Sequence, residues 1–339
     1  FSVGAGLTWQ ASDRVSLYGN VNVPLGPGGN AVDPNDFDIG QQLIWQVGGQ
    51  YDVSPKVGLD LYATNGFGVT PATGILAFVP DGSDPLYGLR LNYTPDLGRG
   101  YRSTFRDNPT EPLTHRDRQL LLDGFTLSTA NTIQPGRVRV DIGGGTNERF
   151  NIDLAYSPDE DLQLEAIVEE FSSDNDAISD RRAGDNIKFL IGAQVRFLNQ
   201  QQGDPLSLGV KVLGGRDTDS NNRIGTLFAE IPMTYQVGEH TAVFLNPRIA
   251  AFTNTKLIGT GVGLNHEIVE GLQLIGEVTP VWSDNETVWA VGTRYNLPKH
   301  PVSLDLYVSN AAGRNGLGNL VSEDSTNVGL NINWMIGDR

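Results

Sequence analysis

The chain has 339 residues, 40 acidic against 24 basic side chains, a formal net charge of −16 and no cysteine. This composition excludes a basic surface for nucleic acid, disulfide bridges and thiol chemistry. No run approaches the roughly 18 consecutive apolar residues of a membrane-spanning helix, so a helical membrane protein is excluded. The sequence starts at Phe1 instead of methionine, and we expect that a signal peptide or other upstream sequence has been removed.

Most of the chain reads as strands of about ten residues in which apolar and polar side chains alternate with period two. In "VGLDLYATNGFG", residues 57–68, Leu59 and Leu61 fall on one side and Asp60 and Tyr62 on the other. The strand candidates are residues 2–10, 14–25, 41–53, 57–66, 85–94, 137–144, 149–157, 162–171, 186–198, 205–215, 223–237, 241–253, 257–266, 271–282, 287–297, 301–310 and 326–336. This succession predicts an all-β protein.

The first part of the chain is repeated near its end. Residues 1–95 look like a longer-looped version of the last five strand candidates, which predicts a strand series built by duplicating hairpins. The matching phrases are "VGLDLYATNGFG" and "VSLDLYVSNAAG" at 302–313, "WQVGGQY" at 45–51 and "WAVGTRY" at 289–295, and "YGLRLNY" at 87–93 and "VGLNINW" at 328–334.

Short and long connections alternate along the chain. Turn residues make up the short ones, such as "SPK" at 54–56 and "PDED" at 158–161, whereas polar loops such as 26–40 and 173–185 make up the long ones. Tight turns at one end of a sheet and long loops at the other are typical of an up-and-down barrel in an outer membrane.

The polar faces of the strands favour a water-filled interior over a packed core. Glu165 and Glu169 lie on the face opposite Leu164, and Asp60 and Asp305 occupy the polar faces of the two repeated phrases. Unpaired carboxylates are costly in the core of a soluble sandwich, the alternative fold, but not beside water. The strand length also fits the roughly 9–11 residues of a tilted membrane strand. These four carboxylates are therefore predicted to face a lumen.

The last strand resembles the assembly signal of membrane barrels, which is patterned polar, any, Gly, any, any, hydrophobic, any, hydrophobic. Asn327, Gly329, Ile332 and Trp334 match this pattern, although "MIGDR" follows where the family usually stops on an aromatic residue. On its architecture and this strand, the chain resembles a Gram-negative outer-membrane β-barrel of the porin kind. The resemblance implies an outer-membrane location, a lipid bilayer as surroundings and a homotrimer.

The sequence allows two interpretations of the number of strands in the barrel. We predict one up-and-down antiparallel barrel of about 16–18 strands spanning residues 1–339, in which residues 125–133 supply an extra strand. In the alternative, residues 137–336 close alone as a twelve-stranded barrel and residues 1–95 are left over. The single barrel is preferred because five strands alone would expose two edges to lipid.

The irregular segment 96–136 holds five of the 24 lysine and arginine residues of the chain. One hypothesis is that it folds into the lumen as a constriction, where its cations oppose wall carboxylates across the pore. The alternative is a solvated loop or periplasmic linker with locally paired arginines. The constriction candidates are Arg99, Arg102, Arg106, Arg116 and Arg118.

The expected function is passive diffusion of small hydrophilic solutes and ions through a cation-preferring outer-membrane channel. The chain is expected to be no enzyme and to need no cofactor; an enzymatic barrel and a barrel for protein secretion or assembly are the alternatives. Asp217, Asp219 and Asn221 are spaced like the first ligands of a calcium loop, but the glycine and distant glutamate of an EF-hand are missing.

Overall fold

The computed structural model describes residues 1–25, 28–33, 37–67, 76–77, 82–96, 105, 122–146, 149–171, 186–217, 225–252, 255–298 and 300–337. The chain forms two compact units. The first comprises Phe1–Thr94 with Tyr101–Phe105, and the second comprises Pro95–Gly100 with Arg106–Arg339.

The first unit contains an antiparallel sheet of five strands. Its strands follow the chain in the order β1, β2, β5, β6 and β7, and each adjacent pair is antiparallel. Two short strands, β3 and β4, pair with each other in the β2–β5 connection. The bounds are β1 Ser2–Ser12, β2 Val15–Pro24, β3 Ala31–Val32, β4 Ile39–Gly40, β5 Ile44–Ser54, β6 Val57–Thr64 and β7 Leu86–Tyr93.

The second unit is a closed antiparallel ring of twelve strand positions, because its first and last strands pair with each other. Ile142 lies opposite Ile332 at this seam. The bounds are β8 Val138–Gly145, β9 Phe150–Asp159, β10 Leu162–Phe171, β11 Asn186–Leu198, β12 Ser207–Asp217, β13 Gly225–Glu230, β14 Met233–Val237, β15 Thr241–Phe252, β16 Thr255–Val269, β17 Leu272–Val281, β18 Glu286–Asn296, β19 Val302–Ala311 and β20 Ser322–Ile336.

Strands β13 and β14 are two halves of one strand position. Both pair with β12 on one side and with β15 on the other. The break falls at Ile231 and Pro232, where proline has no N–H to give to the ladder. The candidate strand 223–237 is therefore one position with an interruption.

The outer surface of the ring is a continuous apolar belt. Each strand position turns at least one large apolar side chain outward and exposes 40% or more of it: Ile142, Leu154, Leu164, Ile191, Val212, Leu227, Leu245, Val262, Leu274, Val291, Leu306 and Leu330. An exposed belt of this extent on a closed antiparallel ring is the surface that a membrane barrel offers to lipid. Among the described residues, no helix is long and apolar enough to cross a membrane.

The predicted all-β antiparallel barrel is confirmed, but the predicted count of 16–18 strands is wrong. The ring closes within Val138–Ile336, as the twelve-stranded alternative required, and the strands of Phe1–Thr94 form their own sheet. Residues 125–133 are not a strand of the wall either. The error arose because alternation identifies strands but not which strand edges meet.

The seam can be tested by cysteine cross-linking, since the chain has no native cysteine. Ile142→Cys with Ile332→Cys places two thiols on directly opposed, outward-facing residues, within the Cα separation that a disulfide needs. We expect oxidation to give an intramolecular disulfide, visible as a mobility shift that reductant reverses.

Ile142→Cys with Val328→Cys is the matched control. Val328 is also outward-facing on β20, but it is four residues from the partner of Ile142, or about 13 Å along the strand. Equal cross-linking of both pairs, or of neither, would contradict the closed ring.

Candidate functional site

Much of the interior of the ring is polar, whereas its exterior is apolar. On β10 the carboxylates of Glu165 and Glu169 are buried inside, whereas Leu164, the residue before Glu165, is exposed outside. Because side chains alternate along a strand, each apolar residue that faces out leaves its neighbours facing in. The same alternation runs through the strands of the ring and makes the lumen the candidate functional site.

Ion pairs neutralise most of the charge on the inner wall. Glu165 Oε2 lies 2.6 Å from Lys211 Nζ. Arg294 donates to both carboxylate oxygens of Asp305, at 2.7 and 2.8 Å, and Asn333 also donates to Asp305 at 3.1 Å. Buried charges are tolerated when they are paired and hydrogen-bonded in this way. Further inward pairs are Arg139–Asp153, Arg196–Asp161 and Arg248–Glu230.

A stretch of the chain that precedes the first wall strand lies inside the ring. We call residues 122–134 the inner segment. Its Phe125, Leu127 and Ala130 are at most 1% exposed, and it forms no regular strand. It leads into β8 at Val138, at the end of the ring where the tight turns lie.

Glu277 on β17 anchors the start of the inner segment. Its carboxylate accepts the main-chain N–H of Phe125 and of Thr126, each at 2.7 Å, and the Thr126 hydroxyl at 2.7 Å. Hydrogen bonds to an ionised acceptor are the stronger kind. This one wall residue therefore holds two successive main-chain donors.

Other wall residues complete the main-chain hydrogen bonds of the inner segment. Side-chain donors reach its carbonyls, and side-chain acceptors reach its N–H groups, so a peptide inside the ring is solvated by the wall instead of by water. The donors are Arg248 to Thr126 O at 3.0 Å, Asn246 to Ser128 O at 2.8 Å and Gln194 to Thr129 O at 2.9 Å. The acceptors are Thr234 from Ala130 N at 2.9 Å and Gln163 from Ile133 N at 3.0 Å.

Glycines in the wall make room for the apolar side chains of the inner segment. A Cβ on Gly261 or Gly263 would lie 2.3 or 2.7 Å from a methyl group of Leu127, so a side chain at either position would require Leu127 to move. Phe125 stacks on Tyr307 with ring centroids 4.8 Å apart. The lumen is thus shaped around this segment as well as hydrogen-bonded to it.

The β19–β20 connection, residues 312–321, also folds into the ring. Glu169 accepts the main-chain N–H of Arg314 and of Asn315, and the Arg314 side chain donates to Phe125 O at 3.1 Å. Leu317 and Leu320 of its 3-10 turn join a buried apolar cluster of inward-facing wall side chains. This connection fills the lumen away from the tight turns and contacts the inner segment directly.

A cavity of about 150 Å³ lies at the tight-turn end of the ring, between the inner segment and the wall. Thr132 and Gln134 of the inner segment line it together with Arg137, Arg196 and Asn333. Among the described residues, the inner segment therefore leaves open space at this end of the lumen.

The predicted acidic residues lie in two different places. Glu165, Glu169 and Asp305 are buried in the interior of the ring, in the contacts given above. Asp60 lies in the first unit, where the Tyr18 hydroxyl donates to it at 2.7 Å and Arg90 approaches it at 3.8 Å. Their influence on permeating ions stays a prediction.

The other predicted sites are only partly covered by the structure. The assembly-signal candidates Asn327, Gly329, Ile332 and Trp334 all lie on β20, with Ile332 and Trp334 facing out, and their role in assembly stays a prediction. Outside the described residues lie Arg99, Arg102, Arg106, Arg116 and Arg118, and the calcium candidates Asp219 and Asn221; Asp217 ends β12. Within the described part of the chain, no group of three or more His, Asp or Glu is placed to hold a metal.

Sequence reasoning missed the residues that hold the inner segment. Glu277, Arg248, Asn246, Gln194 and Thr234 are polar residues on alternating strands, and nothing marks them apart from other inward-facing residues. The available signal was the inner segment itself: "GFTLSTANTIQ" at 124–134 has no charge, yet interrupts the strand series. It was interpreted as an extra strand instead.

Comparisons with known proteins found structural similarity but no matching sequence family. No protein-family model matches the chain, and no curated protein matches it. An outer-membrane channel from Pseudomonas putida F1 is 14% identical, with a TM-score of 0.44, over 61% of this chain and 98% of that chain. The KdgM porin in complex with disordered oligogalacturonate is 8% identical, with a TM-score of 0.42, over 59% of this chain and 99% of that chain. OmpT, an outer-membrane protein of Vibrio cholerae, is 10% identical, with a TM-score of 0.31, over 99% of this chain and 89% of that chain.

The second unit has the architecture of a transmembrane β-barrel. A closed antiparallel ring leaves no strand edge in hydrocarbon, its exterior is an apolar belt, and its interior is polar. The homotrimer stays a prediction.

The Arg294–Asp305 pair gives a test of this interior. Arg294→Ala leaves the Asp305 carboxylate buried without its cation, and breaking such a pair typically costs about 3–5 kcal/mol. We expect a loss of this size in the free energy of unfolding, measured by urea titration of protein folded in lipid vesicles.

The double variant Arg294→Ala with Asp305→Asn is the control. It removes the unpaired charge along with the cation, so it should recover most of the lost stability. A single variant within about 1 kcal/mol of the unaltered protein would show that the pair is not buried as described.

Proposed function

We propose that the second unit is an outer-membrane channel for passive diffusion of small hydrophilic solutes and ions, with the inner segment as its constriction. The observation that carries the proposal is the polypeptide inside the ring, held by wall side chains on β10, β11, β14, β15 and β17. The proposed partners are the lipid bilayer and the permeating solutes, and no catalytic step is involved.

The presence of the inner segment inside the ring indicates how wide the lumen is. A barrel of about eight strands is filled by its own side chains, whereas one of 16–18 strands leaves an aqueous channel. Twelve strand positions lie between these sizes, and this ring encloses a peptide with its side chains. A lumen of that width, once the inner segment and the β19–β20 connection are displaced, passes a solute with the cross-section of a peptide.

The wall chemistry supports hydrophilic solutes. The same groups that bind main-chain N–H and carbonyl groups offer donors and acceptors to hydroxyls, amides and water. Displacing the inner segment therefore exposes these polar groups, and a path through the whole lumen also requires the β19–β20 connection to move aside.

Glu277→Gln tests the constriction. Glutamine keeps the size of the side chain but replaces one acceptor oxygen by a donor facing Phe125 N–H or Thr126 N–H. A hydrogen bond to a charged group contributes about 1.5–3 kcal/mol, so release of the inner segment should become about tenfold or more frequent. Single-channel recording in planar bilayers should show open probability rising by about that factor.

Glu267→Gln is the matched control. It makes the same charge change on the inner wall, but Glu267 accepts Gly271 N–H at the β16–β17 turn. Open probability should stay at the level of the unaltered protein in this variant. If Glu277→Gln opens no more often than Glu267→Gln, the inner segment does not limit conduction.

We also propose a cation preference. The chain carries 16 more acidic than basic residues, which favours cations near the mouths of a pore. Because the described wall charges are mostly paired, the preference should be modest. The reversal potential in a potassium chloride gradient should have the sign of cation selectivity and shrink as salt rises; an anion-selective potential would contradict the proposal.

A further inference from the structure

The sheet of the first unit is a structural copy of the last five strands of the ring. In chain order, β1, β2, β5, β6 and β7 correspond to β16, β17, β18, β19 and β20, with the same antiparallel neighbours. The copy thus includes every strand of the first unit apart from the short pair β3 and β4.

The pairing register of every hairpin in the copy is conserved. For example, Tyr51 lies opposite Leu59 as Tyr295 lies opposite Leu304. The three other hairpins match in the same way: Leu7↔Gly19 and Leu264↔Gly276, Val21↔Trp45 and Val278↔Trp289, and Leu91↔Leu59 and Ile332↔Leu304. A one-residue slip would turn every side chain to the other face, so this agreement means the same faces point in and out.

Side-chain contacts recur at the same places. Thr64 Oγ1 donates to Trp45 O at 2.7 Å, as Ser309 Oγ donates to Trp289 O at 2.7 Å. Asn65 accepts Trp45 N–H and Asn310 accepts Trp289 N–H, at 2.8 and 2.7 Å. The Tyr62 ring covers Gly88 as the Tyr307 ring covers Gly329. The copy is therefore a duplicated piece of barrel wall down to individual hydrogen bonds.

The two copies differ at their edges. In the ring, β20 pairs with β8 and β16 pairs with β15. In the first unit, the outer edges of β1 and β7 pair with no strand among the described residues. All of β1 is exposed, whereas its counterpart β16 buries alternate residues. Open strand edges do not persist in hydrocarbon, because the N–H and carbonyl groups there have no partner.

We propose that the five-stranded sheet is the carboxyl-terminal part of a second twelve-stranded barrel, completed by seven strands equivalent to residues 138–252. In the ring, seven strand positions run from β8 to β15 and join β20 to β16. The same seven, added to the first unit, pair with β7 at one edge and β1 at the other. The protein then carries two barrels in tandem.

Strand direction decides which polypeptide supplies these strands. In an antiparallel sheet of five, β1 and β7 run the same way, so a second copy inserted in the same orientation would meet them in parallel. A set of seven antiparallel strands avoids this parallel pairing, because its first strand runs antiparallel to β7 and its last strand runs antiparallel to β1. In the ring they precede the copied strands in the sequence, so their counterpart lies before Phe1 in the same chain.

Two extended chains test the proposal. The seven-strand extension places a copy of residues 138–257 before Phe1, and the six-strand extension places residues 150–257 there and so lacks β8. Hydrogen exchange in lipid vesicles reports on the outer-edge amides. Against the 339-residue chain, we expect the seven-strand extension to slow exchange at both β1 and β7, and the six-strand extension to slow it at β1 only.

Three results would overturn the proposal. The first is fast exchange at both edges of the seven-strand extension while the amides of the ring stay protected. The second is protection of both edges in the 339-residue chain at the mass of a dimer, which would mean that a second copy completes the sheet. The third, independent of refolding, is an intact mass of 36.7 kDa for the protein isolated from its own outer membrane, since the proposal requires a longer chain. None of these measurements depends on channel activity, so this proposal and the channel proposal fail separately.

Discussion

The structure depends on one constraint: every main-chain N–H and carbonyl group facing hydrocarbon needs a partner within the protein. A sheet meets this requirement only when its two end strands pair, as β8 and β20 do in the second unit. Closure of the sheet also divides its side chains into an outward-facing set and an inward-facing set. Since alternate residues face opposite ways, an exterior of Leu, Ile and Val leaves an interior of carboxylates, amides and guanidinium groups. Alternation thus lets the same strands carry an apolar exterior and polar groups in the lumen.

The inner segment meets the same requirement inside the ring. A polypeptide there has lost water, and its main-chain groups take partners from Glu277, Arg248, Asn246, Gln194 and Thr234. A wall that can solvate a peptide can also solvate a hydrophilic solute, which connects the observed occupant with the proposed function. Side-chain hydrogen bonds of this kind contribute about 0.5–3 kcal/mol each and can be exchanged one at a time. The arrangement therefore suits a segment that fills the lumen and can be displaced from it.

Comparison of the two copies of the five-stranded pattern distinguishes features set by local sequence from features set by pairing with distant strands. Their hairpins agree in register and even in the hydrogen bonds of Trp45 and Trp289, because turn chemistry and neighbouring strands are encoded close together in sequence. Their edges differ because edge pairing requires strands far away in the chain. The same local sequence thus forms part of a closed wall in one unit and an open sheet in the other.

The sequence by itself determined the strands and their faces. Period-two alternation located the strands within a few residues, placed Glu165, Glu169 and Asp305 on the inward side, and detected the duplication, since all of these depend on neighbouring residues. Only the tertiary structure decided that the ring closes at twelve strand positions, that residues 122–134 lie in the lumen, and that Glu277 holds them. Those features depend on which strand edges and side chains from distant parts of the sequence meet. The alternation of a strand is the same whichever strand it pairs with, so no local pattern predicts the partner.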